Sequence, residues 1–73
     1  MNRYIIPICD IQAGSVSNFT YSAHSYQEVQ EKVIKELCNN YNMLDDLLEW
    51  NDFVKDADKH DILIGDIADI ETL

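Results

Sequence analysis

The stretch that most constrains the fold is Arg3-Tyr4-Ile5-Ile6-Pro7-Ile8-Cys9-Asp10-Ile11. It is rich in β-branched residues and apolar at both parities, so it reads as a strand buried on both sides or placed at the centre of a sheet. Pro7 works against that reading, because it has no N–H to give to a ladder. Either its missing donor points outward at an edge, or a bulge sits beside it. We expect this strand in the centre, with the third strand flanking it antiparallel, and Pro7 is the main feature opposing that order.

Gln12-Ala13-Gly14-Ser15 supplies a turn, with Gly14 free to take a positive φ. From Val16 to Ala23, Phe19, Tyr21 and Ala23 alternate with Asn18, Thr20 and Ser22, the pattern of a strand with one wet face. A β-hairpin over 3–23 follows. Ser25-Tyr26-Gln27-Glu28 is a capping-box pattern that opens a helix to about Asn39. Tyr26, Val29, Val33 and Leu37 form its inner stripe, with Ile34 and Cys38 alongside. Glu28–Lys32 and Glu31–Lys35 are favourable i,i+4 pairs on its outer side.

Asn39-Asn40-Tyr41-Asn42 ends that helix, and Asn42 is placed to cap a second one. Over residues 43–56, Met43, Leu47, Trp50 and Val54 recur at helical offsets, and so do Asp45, Glu49, Asp52 and Asp56. At about 100° per residue the two sets point in nearly opposite directions, which predicts an apolar inner side and a row of four carboxylates outside. The helix fades by Ala57 into a charged connection. Residues 61–70 read as a third strand interrupted at Gly65, where a bulge would turn Ile67 and Ile70 inward. The expected fold is α+β, in the order β-β-α-α-β. It is one domain over 1–73, a three-stranded, mainly antiparallel sheet with two helices packed on one face.

Fourteen acidic residues face five basic ones, for a formal charge of −9 on 73 residues. Such a field repels nucleic-acid phosphates and anionic membranes and attracts basic surfaces, so a basic protein is the favoured partner. Solubility alone would also account for the acidity. No stretch reaches the length of a membrane-spanning helix, and the run from Tyr4 to Cys9 is too short for a secretory signal. Two cysteines embedded in apolar runs do not make a disulfide framework. The expected setting is cytoplasmic with reduced thiols, where the Asn18-Phe19-Thr20 sequon has no role.

No catalytic set emerges. Asp56, Asp58, His60 and Asp61 invite an EF-hand reading, but the sixth position is Asp61 rather than Gly and the twelfth is Ile67 rather than Glu. Cys9, His24, Cys38 and His60 match no zinc-ligand spacing. The carboxylate row, solvated on the side opposite the core, lacks the pocket that general acid–base work requires. We expect no metal, no cofactor and no enzyme activity.

The acidic row is the candidate partner-binding surface: Asp45, Glu49, Asp52 and Asp56, extended by Asp66, Asp69 and Glu71. Phe53, on the flank between the apolar and acidic stripes, is either a core residue or, if exposed, an apolar anchor beside the carboxylates. Asp45–Glu49 and Asp52–Asp56 would be like-charge i,i+4 pairs, which helix stability alone does not favour. Regularly spaced anions on a rod would also resemble a phosphate backbone.

The short length, the opening Tyr4-Ile5-Ile6-Pro7-Ile8-Cys9-Asp10-Ile11, the capped helix at Ser25 and the closing Ile62-Leu63-Ile64-Gly65-Asp66-Ile67 resemble small acidic open reading frames of bacteriophages, prophages and conjugative elements. The resemblance carries over no functional residue. It implies a stoichiometric inhibitor or adaptor of host machinery, including nucleic-acid mimics acting on a host nucleic-acid-binding protein. The alternative is a small structural or homo-oligomerising domain.

Overall fold

The computed structural model describes residues 2–70. Strands β1 (Asn2–Asp10) and β2 (Ser15–Ala23) are followed by helices α1 (Tyr26–Asn40) and α2 (Trp50–Lys59). Two short strands, β3 (Ile62–Ile64) and β4 (Ala68–Asp69), close the sheet. All pairings are antiparallel, with β1 between β2 on one side and β3 and β4 on the other. The α+β architecture and the central first strand are as expected from the sequence.

Tyr4, Ile6 and Ile8 point from β1 into the core, while Ile5, Pro7 and Cys9 lie half-buried at the opposite parity. Pro7 keeps its central place because the neighbouring strand breaks. Between the pairs Ile8–Ile64 and Ile5–Ala68, two residues of β1 face the three residues 65–67, which is a bulge. The Gly65 amide donates to the Pro7 carbonyl at 2.8 Å. In an antiparallel strand the N and O of one residue point the same way, so the donor Pro7 lacks would also have faced this gap. A Cβ on Gly65 would lie 2.5 Å from Pro7 Cγ, so the bare glycine is what lets the proline ring fit. The bulge places Ile67 on the core side, as expected; Ile70 is only half-buried and does not join the core cluster.

The hairpin closes through the Asp10 carboxylate, which accepts from the Ala13 amide at 3.1 Å, and through Gly14 at φ 67°. At the start of α1, Ser25 Oγ accepts from the Glu28 amide at 3.2 Å. Glu28 reaches back to the His24 amide at 3.0 Å, one residue before the expected partner. Lys32 pairs with Glu28 at 3.5 Å, whereas Glu31 and Lys35 do not come within ion-pair distance. Val29, Val33 and Leu37 are buried. Tyr26, expected inside, is half exposed and rests its ring 5.0 Å from that of Tyr4.

The second helix departs most from expectation. It spans Trp50–Lys59 rather than 43–56, and its N-cap is Glu49, not Asn42. Residues 41–49 form turns instead. Leu44 donates to the Tyr41 carbonyl at 3.2 Å, and the Asp45 side chain accepts from the Leu47 amide at 2.9 Å. A short acidic side chain that satisfies a nearby amide offers the backbone an alternative to helix, and here it prevails. The apolar side of the helix rotates accordingly. Phe53 and Ala57 are fully buried, Trp50 and Val54 flank them, and Met43 and Leu47 are exposed at 49% and 89%. Leu44 plugs the core from the turn. Asp61, at φ 64°, ends α2 in the left-handed conformation, which Asp tolerates better than most residues. Both helices cover the same side of the sheet, α1 over β2 and α2 over β3.

Candidate interaction surface

The expected straight row of four carboxylates does not form. Asp45 lies in the turn, Glu49 caps α2 without a side-chain capping bond, and only Asp52 and Asp56 stand on the helix. One like-charge i,i+4 pair therefore remains, and the rod-like spacing that resembled a phosphate backbone is lost. Phe53 is completely buried and is a core residue rather than an exposed anchor. Asp66 is exposed in the bulge, and Asp69 is half-buried in β4 opposite Tyr4. Glu71 lies outside the described residues.

The structure assembles a different surface from neighbouring parts. Trp50 is half-buried, stacked on Phe53 with ring centroids 6.4 Å apart and planes 22° apart. On one side, Trp50, Ile34 and Leu48 share an open groove with Gln27, Gln30, Glu31 and Glu49. On the other, Trp50 and Val54 border a second open groove with Asn51, Lys55, Ile64, Gly65 and Asp66. A shallow depression holding Glu31, Lys35 and Asp46 adjoins the first groove. Apolar side chains thus share these grooves with amides, with Lys35 and Lys55, and with the acids Glu31, Asp46, Glu49 and Asp66. A helix from residue 43 puts Trp50 on the inner stripe; the observed start, with Glu49 as N-cap, places it in the first turn, beside the groove.

Negative charge also gathers at the C-terminal end of α1. Burial pushes the Cys38 thiol above its ordinary range, and the carboxylates of Asp46, Asp45 and Asp56 push it further. The last turn of α1 holds no basic residue, so the partial negative charge of its carbonyls adds to theirs. His60 lies 3.8 Å from Asp56, and Lys35 lines the same depression as Asp46. Among the described residues no three His, Cys, Asp or Glu side chains lie close enough to hold a metal ion.

Other shifted groups hold the fold together. The Ala13 amide and the Tyr41 hydroxyl, which donates at 2.9 Å, keep Asp10 below the usual carboxylate range. The His24 amide, followed by Lys32, does the same for Glu28. Burial, reinforced by the Glu36 carboxylate that accepts its hydroxyl hydrogen, raises Tyr21. Cys9 lies on the uncovered side of the sheet and Cys38 on α1; both thiols are free. No helix among the described residues is long and apolar enough to cross a membrane. Comparison with known protein families, with curated proteins and with solved structures finds no match to this chain.

Proposed function

We propose that this is a non-enzymatic interaction protein that docks a basic partner on the surface built by residues 41–59 and the outer side of α1. The observation that carries the reading is the convergence of Asp45, Asp46 and Asp56 at the negative end of α1, beside a groove lined by Ile34, Leu48 and Trp50. Asp45 and Asp46, which no ion pair recorded among the described residues neutralises, favour an incoming Lys or Arg, and a half-buried tryptophan beside them supplies apolar contact. Such a protein would act in the cytoplasm on a basic host protein, including one whose own ligand is nucleic acid, as an inhibitor or adaptor from a phage or mobile element.

Trp50 is the sole tryptophan, so its emission reports directly on the groove. Addition of a Lys/Arg-rich peptide containing apolar residues is expected to shift that emission saturably, with affinity falling as salt rises. An acidic peptide of the same length should have no effect. Combining Glu31→Gln, Asp46→Asn and Glu49→Gln should weaken binding at least tenfold while leaving the circular dichroism unchanged. Equal binding by parent and variant would overturn the reading.

A further inference from the structure

The two edges of the sheet are built differently. On one, β3 and β4 are three and two residues long, separated by the Gly65 bulge, with Asp61, Asp66 and Asp69 along that stretch. Short strands, bulges and charges are how proteins prevent edges from pairing with other chains. On the other, β2 runs nine residues without Pro, Gly or any charged side chain. The uncharged stretch extends from Ile11 to Gln27, in a chain whose residues are 26% charged.

The direction of the β2 backbone follows from the ladder. Pro7 and Arg3 turn their carbonyls toward Gly65 and Ile70, so the odd residues of β1 face β3 and β4. The even residues then bond to β2, and their partners there are the odd-numbered residues Ser15 to Ala23. Val16, Asn18, Thr20 and Ser22 consequently aim their amides and carbonyls away from the sheet. Lys32 takes the Ser22 carbonyl at 2.7 Å and terminates the open edge there. The outward backbone groups of Val16, Asn18 and Thr20 have no partner among the described residues.

We propose that this edge pairs with the β2 edge of a second copy of the chain, antiparallel about a two-fold axis at Asn18. In that register Val16 lies opposite Thr20 of the other copy, and the three outward residues of each strand exchange about six hydrogen bonds in all. A two-fold contact requires a surface complementary to itself, which an antiparallel edge strand is. Charge points to the same occupant. Two chains of net charge −9 repel, and β2 is the segment across which they meet without opposing carboxylates. The acids of α2 stay at the far side, since α2 covers β3 while α1 covers β2. The charged groups recorded beside β2 are Lys32, held on Ser22, Glu36, held by the Tyr21 hydroxyl, and the ladder partners at its two ends, Arg3 opposite Ser22 and Asp10 opposite Ser15.

Sedimentation equilibrium across micromolar to millimolar chain concentration, in physiological salt, tests the pairing. The expected result is a reversible rise from the 8.5 kDa monomer to twice that mass. Amide exchange at Val16, Asn18 and Thr20 should slow at least tenfold over the same range, while exchange at exposed loop amides stays constant. Asn18→Pro removes an outward donor without touching the β1 ladder, and Thr20→Lys adds charge to the edge. Both should remain monomeric with parental circular dichroism. A parent that stays monomeric at millimolar concentration overturns the proposal. So does a dimer that both variants retain, or one in which the three amides exchange as fast as in the monomer; either would move the contact to the uncovered sheet surface around Val16 and Leu63.

Discussion

Gly65 meets Pro7 at a distance that no side chain tolerates, and this contact reconciles a central strand with a proline inside it. Gly65→Ala would press a methyl group into the pyrrolidine ring. Overpacking of this kind costs about 1–3 kcal/mol. We expect Gly65→Ala to lower the urea midpoint accordingly, and the loss to shrink when Pro7→Ala is introduced with it, since the clash needs both groups. A full Gly65→Ala penalty in the Pro7→Ala background would mean that the glycine matters for another reason. Both residues were legible in the sequence as a conflict and an interruption. Their meeting was not, because it depends on the register of two segments more than fifty residues apart.

At the scale of elements, the hairpin and α1 were readable because local signals agreed: alternation, a turn glycine and a capping serine with Glu28 three residues on. The second helix is shorter than its periodicity because that periodicity runs through Asp45, whose local hydrogen bond favours a turn. The corrected helix keeps Phe53 in the core and takes Leu47 out of it. Phe53→Ala is expected to cost about 3–5 kcal/mol, enough to unfold much of a small domain, because it empties the centre of the core. Leu47→Ala should change stability by no more than about 0.5 kcal/mol, as substitution of an exposed turn residue does. The thermal melt of Leu47→Ala decides between the 43–56 and 50–59 helices, since Leu47 is an inner residue only in the first. The grouping of Asp45, Asp46 and Asp56 around Cys38 was not legible, because it depends on the turn that replaces the first half of the expected helix.

Across the whole molecule, acidic side chains outnumber basic ones fourteen to five, and the Glu28–Lys32 ion pair is partly solvated. Self-repulsion therefore outweighs the attraction that salt could screen away. The melting temperature should rise as sodium chloride is increased from about 10 mM to about 150 mM, over which the screening length falls from about 30 Å to about 8 Å. A melting temperature that falls would show that the ion pairs dominate. The central position of β1 has a consequence for synthesis. The strand is made early, pairs with β2 within moments, and must then wait for some forty further residues before β3 and β4 can flank it. Until then Ile6 and Ile8 lie in an unfinished two-stranded ribbon, which is marginal on its own in water. A nascent chain of this kind acquires its core late, when the segment that accommodates Pro7 emerges.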